Sequence, residues 1–319
     1  MIATVNLNAS GHACLNPLRR SAERLRIVST RAACGAQLFD FGVHCRGSLA
    51  AGRLMAEVCL AGLGSVEIVP GSHGVFPGPA VAIRTDQPVA ACLASQYAGW
   101  QISGESFFAM GSGPMRAAAA KEQLFEQIGT TETAEHAVGV LESAQLPPTA
   151  VCEQIATDCG VPADRLTLLV ARTASLAGTI QVVARSVETA LHKMHEIGFD
   201  LDRLVSGYGV APLPPVAADD LIGIGRTNDA VLYGAEVTLW VTGDDPRLEE
   251  LGPRIPSCSS PAFGQPFADI FEDHNRDFYQ IDPLLFSPAV VTLNNLDSGR
   301  QFRFGETRPD VLRNSFYGP

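Results

Sequence analysis

Residues 166–197 read LTLLVARTASLAGTIQVVARSVETALHKMHEI, and the two halves of this stretch follow different periodicities. Residues 166–171 are an almost wholly apolar run, the pattern of a strand covered on both faces. From Gly178 onward the apolar positions Val183, Val187, Ala190, Leu191, Met194 and Ile197 recur at intervals of three or four, which predicts one long helix over 178–197 with a single buried face. A strand passing through a short turn into a helix is the repeating unit of a mixed α/β fold. On the opposite face Gln181, Arg185, Glu188, His192 and His195 follow at helical spacing, so a guanidinium, a carboxylate and two imidazoles project in roughly one direction. A solvated face with an ordinary Arg185 to Glu188 pair has the same pattern, and such a pair contributes only about 0.2 to 0.5 kcal/mol. Spacing alone does not separate the two readings.

Outward from this unit, the pattern predicts a helix over 17–28, opened by Asn16 and Pro17, then strands at 26–31 and 36–41 about a Cys34-Gly35 turn. A helix over 49–63 stopped by Gly64 follows, then strands at 65–69 and 80–85 around a loop holding Gly71, Gly74, Pro77, Gly78 and Pro79. Gly111-Ser112-Gly113 before Pro114 reads as a tight turn feeding a helix that runs towards 127, the type of place where backbone amides meet an anion or a ligand carbonyl. An ordinary helix start with Ser112 as its cap fits the same residues, and the Gly-Lys-Ser/Thr ending of a phosphate-binding loop is absent. After Pro147-Pro148 a second round begins, with a helix over 149–159, the strand at 166–171 and the long helix. Ser48-Leu49-Ala50-Ala51-Gly52 and Ser175-Leu176-Ala177-Gly178 each stand after a strand and before a helix, as an internal duplication would leave them. Residues 212–215 read as a linker, 223–226 and 235–241 as strands, and 290–293 with 301–304 as a hairpin across 294–300. The expected architecture is therefore mixed α/β in two α/β domains, residues 1–150 and 151–319, the second carrying the long helix.

With 319 residues, 46% hydrophobic and 18% charged, the chain can bury the cores of two domains. A formal net charge of -11 argues against nucleic acid or an anionic membrane as partner, since binding phosphate needs a concentrated basic surface. The first residues carry neither a basic segment nor an apolar core, and no apolar stretch approaches about 18 residues, so a cytoplasmic protein is expected. None of the eight cysteines forms a Cys-x-x-Cys pair and Cys152 to Cys159 lacks a histidine pair to complete a zinc site. No metal is assigned, and Cys59 and Cys92, in apolar stretches, are read as buried thiols.

The segment 175–193 closely resembles a signature of the methenyltetrahydromethanopterin cyclohydrolases, enzymes that open the methenyl bridge of a one-carbon-carrying pterin. Four further blocks agree in order: residues 51–64, the Gly111-Ser112-Gly113-Pro114-Met115-Arg116-Ala117 run, Arg226-Thr227-Asn228-Asp229 through Gly234, and 277–289. The wording departs locally, with Gln280 where lysine is expected and 258–264 only approximately matching a serine-rich block. The resemblance implies an α/β fold with the pterin in a cleft between two domains, a homotrimer, and a part in one-carbon metabolism such as formaldehyde oxidation. It needs no cofactor, the pterin being the substrate carrier.

Hydrolysis of a methenyl bridge requires water to attack the bridging carbon, a base to take its proton, and a proton for the departing amine nitrogen. One sheltered carboxylate with a pKa near neutrality can do both. Glu188 is the expected acid and base, with Arg185 pulling its pKa down while a dry pocket pushes it up. Arg185 beside a cationic substrate is unsuited to stabilising the methenyl carbon itself. Gly111, Ser112, Gly113, Gln181, Arg226, Asn228 and Asp229 are the expected substrate contacts, the last three offering polar groups for an aminopyrimidinone edge, although a structural turn between strands would read alike. His192 could tune Glu188. Two competing readings remain at this point: a non-catalytic pterin-binding paralogue acting as carrier or regulator, against which Glu188 and Arg185 both survive, and a cysteine-dependent amidohydrolase. Whether the substrate is the full or the dephospho pterin is open.

Overall fold

The computed structural model describes residues 6–16, 18–277 and 280–318. It contains two six-stranded mixed sheets, each within its own compact unit. The first unit is built from the chain up to Ser65 together with Ala90–Gln181, and the second from Val66–Val89 together with the chain from Val182 onward.

In the first unit the strands are β1 (Val28–Arg31), β2 (Gln37–Asp40), β5 (Trp100–Ser103), β6 (Phe108–Ser112), β7 (Ala137–Glu142) and β8 (Leu166–Ala171), in the order β1-β2-β8-β7-β6-β5. β8 lies parallel to both β2 and β7, and the outer pairs are antiparallel. Its side chains alternate between two cores: Leu166, Leu168 and Val170 pack with Val151, Cys152 and Ile155 of the helix Thr149–Asp158, while Leu169 and Ala171 pack with Met55, Val58 and Cys59 of the helix Leu49–Cys59. Cover on both faces is why 166–171 is continuously apolar. The two Ser-Leu-Ala motifs meet here. Ser48 caps the helix Leu49–Cys59 through the Ala51 amide (3.0 Å), Ser175 accepts from the Gly178 amide (3.0 Å), and a Cβ on Gly52 would stand 2.8 Å from Ile180. Gly52 lets the two helices that follow the motifs touch.

In the second unit the strands are β3 (Gly64–Pro70), β4 (Pro79–Thr85), β9 (Leu204–Pro212), β10 (Glu236–Val241), β11 (Val290–Asn295) and β12 (Gln301–Gly305), in the order β12-β11-β10-β9-β4-β3. β10 and β11 are parallel, and β9 is antiparallel to β10 and β4. The helix Ser186–Glu196 rests on this sheet at Gly207 and Gly209 of β9, where added Cβ atoms would meet Val187 at 2.8 and 3.0 Å. Glycine at alternate positions of one strand thus sets how deeply that helix sits.

The structure departs from the sequence reading in several places. The helix expected over 178–197 is two helices, Leu176–Val183 and Ser186–Glu196, separated at Ala184 and Arg185. Residues 223–226 are no strand; they lie in the helix Asp220–Gly234, opened by Asp219, whose side chain accepts the Ile222 amide at 2.9 Å. The helix expected towards 127 is two five-residue pieces, Met115–Ala119 and Leu124–Ile128, each closed by a left-handed residue, Ala120 and Gly129. The helix over 49–63 stops at Cys59 because Ala61 and Gly62 turn left-handed. Pro212 closes β9 and the Leu213 amide bonds to the Pro79 carbonyl (2.9 Å), so 212–215 is no linker. A single boundary at 150 also falls inside the first unit, between the paired strands β7 and β8. Pro17 lies outside the described residues, and the helix beyond it spans Leu18–Leu25. The hairpin across 294–300 is present, with Asn294 opposite Gln301.

Candidate active site

The break between the two helices changes the setting of Glu188. Instead of lying mid-helix, it occupies the first turn of Ser186–Glu196, and Arg185 (φ -90°, ψ 7°) stands at the position before that helix. The Thr189 amide bonds to the Arg185 carbonyl (2.9 Å) and so seats the first turn. Arg185 Nη1 lies 3.8 Å from Glu188 Oε2, and the two side chains are only 8% and 5% exposed. Keeping a buried carboxylate ionised costs several kcal/mol. A helix N-terminus returns at most about 2 kcal/mol, and Arg185 places an opposite charge beside the same carboxylate. What the sequence left as a choice between a solvated face and a sheltered pair is a sheltered pair.

The remaining expected contacts divide by unit. In the first unit Gln181 is buried on the helix Leu176–Val183. Gly111 and Ser112 end β6, and the Ser112 hydroxyl donates to the Val140 carbonyl (3.3 Å) beside the Cys59 thiol (3.3 Å), so Ser112 is not the cap of the helix that follows. Gly113 turns left-handed (φ 89°) and gives its amide to the Ser95 carbonyl at 2.8 Å. These three residues make a turn whose polar groups serve the chain's own backbone.

In the second unit Arg226, Asn228 and Asp229 share one helix. Arg226 donates to the Ser315 carbonyl (3.2 Å) and the Pro215 carbonyl (3.4 Å), and Asn228 bonds back to the Ile224 carbonyl (2.9 Å). Asp229 accepts the Phe267 amide (2.8 Å), the first of the helix Phe267–Asp273. Burial pushes the Asp229 carboxyl up to about 7, against the pull of the Ser315 hydroxyl and the Phe267 amide. Asp229 thus anchors one helix to another. His192 stands 3.9 Å from Glu196, one turn further along.

Two buried cations escaped the sequence reading. Lys193 is 1% exposed, and its ammonium donates to Ser259 Oγ (3.0 Å) and the Leu284 carbonyl. Burial brings its pKa down to about 8, with Asp282 opposing. The signal was available, because Ala190, Lys193 and Ile197 continue the apolar spacing. Arg116 is fully buried in an ion pair with Glu122, and its signal was a lone charge in a run of small and apolar residues. All eight cysteines are free thiols, Cys59 and Cys92 buried as expected. Among the described residues no three His, Cys, Asp or Glu side chains gather as metal ligands, and no helix is long and apolar enough to cross a membrane.

These features define an α/β protein with a buried carboxylate in the first turn of a helix, 3.8 Å from a buried arginine. The chain matches the family described as Cyclohydrolase (MCH) over residues 6–316. It is 49% identical over 316 residues to the methenyltetrahydromethanopterin cyclohydrolase of Rhodopirellula baltica, covering 98% of this chain and 95% of that protein. The proteins of the same name from Methylobacillus flagellatus and Methanosarcina barkeri are 45% and 40% identical, each covered over 97% or more of its length. The chain belongs to the MCH cyclohydrolase family.

Proposed function

We propose that this protein is a methenyltetrahydromethanopterin cyclohydrolase, which reversibly hydrolyses the 5,10-methenyl pterin, in its full or dephospho form, to the 5-formyl derivative in one-carbon metabolism. The relatives' shared name and near full-length match support the reaction, and the buried Arg185 to Glu188 pair is the observation that carries its chemistry. Water attacks the cationic methenyl carbon and gives one proton to Glu188, leaving a neutral carbinol. Glu188 then returns that proton to N10 as the carbon to N10 bond breaks, and the carbinol hydroxyl loses its own proton as the formyl carbonyl forms on N5. One proton is released per turnover. Both steps need a carboxylate that is ionised at rest and able to hold a proton, which burial against an arginine supplies. Arg185 acts on Glu188 and not on the substrate cation, which it would repel.

In this reading Gln181 and the Gly111 to Gly113 turn supply substrate contacts on the first unit. On the second, Arg226 and Asp229 serve through the segments they hold together, and Asn228 supplies a polar group from the same helix. The reaction uses no cofactor, the enzyme is a cytoplasmic homotrimer, and its setting is one-carbon metabolism such as formaldehyde oxidation. Mixing the purified protein with the methenyl pterin should bleach the methenyl chromophore at substoichiometric enzyme, with methenyltetrahydrofolate consumed far more slowly. A chromophore that persists would reject the activity, and equal specificity constants would reject the substrate class.

A further inference from the structure

Cys34 and Cys152 are far apart in the sequence and meet in the fold. Cys34 stands in the turn between β1 and β2, which is closed by the Gly35 amide on the Ala32 carbonyl and the Ala32 amide on the Ala36 carbonyl (2.9 Å each). Gly35 turns left-handed (φ 97°), and a Cβ there would stand 3.1 Å from Asp164, so the turn rests against the short helix Ala163–Arg165. Cys152 lies in the first turn of the helix Thr149–Asp158, its amide bonded to the Pro148 carbonyl (3.2 Å). It belongs to the core cluster against which the Cys34 side chain packs. Cys34 Sγ reaches the Thr149 carbonyl (4.0 Å) and Cys152 Sγ the Pro147 carbonyl (3.9 Å), so both sulfurs sit at the same helix start. The Cys34 thiol is also within hydrogen-bonding reach of the Cys152 thiol. Burial pushes the Cys152 thiol up to about 12, and the adjacent Cys34 thiol adds to the rise. The two differ in access: Cys152 is fully buried, whereas Cys34 is only half-buried. A small solute therefore meets Cys34 first.

We propose that Cys34 and Cys152 form a redox-modification site, at which a peroxide converts the two thiols into a disulfide joining the β1 to β2 turn to the helix Thr149–Asp158. Cys34 gives up its proton and its sulfur attacks one oxygen of hydrogen peroxide; the O–O bond breaks, water leaves and Cys34 becomes a sulfenic acid. The Cys152 sulfur then attacks the Cys34 sulfur, the S–O bond breaks, and the hydroxyl departs as water with the Cys152 proton. Two thiols are oxidised by two electrons and the peroxide is reduced to two waters. The contacts given up, thiol to carbonyl at 3.9 and 4.0 Å, are weak. What the link secures is the edge of the first sheet, because β1 is the outermost strand and all four of its residues are exposed. In a reducing compartment the pair stays as two thiols, and the link forms when peroxide rises and is undone by thiol reductants. The inference is independent of the reaction the protein catalyses.

The test exposes the reduced, folded protein to hydrogen peroxide, blocks the remaining thiols with N-ethylmaleimide and maps the peptides by mass spectrometry with and without dithiothreitol. The expected product is a Cys34 to Cys152 cross-linked peptide pair that dithiothreitol releases, within a single chain. The oxidised wild type should melt about 4 °C or more above its reduced form, since the bond closes a long loop of chain, and Cys34→Ser should show no such rise. Cys152→Ala should leave Cys34 as a sulfenic acid that dimedone captures, whereas Cys34→Ser should leave Cys152 unmodified. If Cys152→Ala fails to fold, the wild-type peptide map and Cys34→Ser decide the matter. Cys34 that is oxidised without cross-linking, that pairs with a different cysteine, or that links two chains overturns the proposal, as does a protein whose Cys34 and Cys152 both stay open to N-ethylmaleimide on unfolding after peroxide.

Discussion

At the scale of single residues, five buried ionisable side chains serve different ends. Arg116, Lys193 and Asp229 each hold backbone, whereas Glu188 and Arg185 face one another at a helix start. The distinction sets what each substitution does. Glu188→Gln keeps shape and hydrogen bonding but cannot exchange a proton, so kcat should fall roughly 100-fold or more with pterin binding and melting temperature little changed; near-normal turnover would remove Glu188 from the mechanism. Arg185→Ala removes the opposite charge, so the acid limb of the kcat profile should move to higher pH, and Arg185→Lys should recover only part of the rate. A slow Arg185→Ala with an unmoved limb would make the arginine a positioner of water or substrate instead. Asp229 has the opposite sign of effect on folding. Its folded pKa, about 7, lies above the ordinary 3.8, so between those values the folded state binds the proton that the unfolded state has lost. Stability from this group is complete below about pH 4 and is lost as pH rises towards 7, with a slope of at most about 1.4 kcal/mol per pH unit. Urea titrations of Asp229→Asn should lack that slope, and parallel pH dependences for the two proteins would contradict the burial argument.

At the scale of elements, the fit of the Glu188 helix against β9 is set by glycine. A Cβ on Gly209 would stand 2.5 Å from Ser186 Oγ and 3.0 Å from Val187, the two residues between Arg185 and Glu188. Gly209→Ala should therefore lift the first turn, costing about 1 to 3 kcal/mol of stability by overpacking and lowering kcat more than Ala at an exposed position of the same sheet. A melting curve and rate indistinguishable from wild type would show that the helix gives way freely. This contact explains what was readable and what was not. β8 and the buried face of 178–197 were legible because their spacing records burial directly, whereas the helical wheel left Glu188 and Arg185 open to a solvated pair and only the family resemblance singled them out. The break at Ala184 and Arg185 left no Gly or Pro in the sequence, so continuous periodicity ran straight across it. The helix Asp220–Gly234 was missed for a related reason. Gly223 and Gly225 resemble strand punctuation, yet Gly225 is there because Ala268 packs within 3.0 Å of where its Cβ would be. The hydrogen bonding of the Gly111 to Arg116 run was hidden because its partners, Leu93 and Ser95, sit about twenty residues upstream in the π-helix Val89–Gln96, which has no sequence signature.

At the scale of the whole molecule, the chain crosses between its units at residues 65–66, 89–90 and 181–182. β3 and β4 come early in the sequence but lie at one side of the second sheet, with β4 paired along its length to β9, from Ala80 opposite Pro212 to Thr85 opposite Gly207. β8 comes late but is the strand that joins β2 to β7, contributing Leu168, Leu169 and Val170 to both cores of the first unit. A cut at 150, the boundary suggested by the Pro147-Pro148 loop, would remove β8 from the first sheet and leave β2 and β7 with open edges. The same cut would strip β3 and β4 from the second sheet and expose β9. Neither fragment could close its core, and both would present unpaired apolar strands prone to aggregation. Residues 1–150 and 151–319 expressed separately should be insoluble or lack cooperative unfolding, whereas co-expression should restore soluble, active protein if the halves meet during folding. A fragment of either range that unfolds cooperatively by itself, with the heat-capacity change expected for its length, would mean that the unit it belongs to does not depend on strands from the other half of the chain.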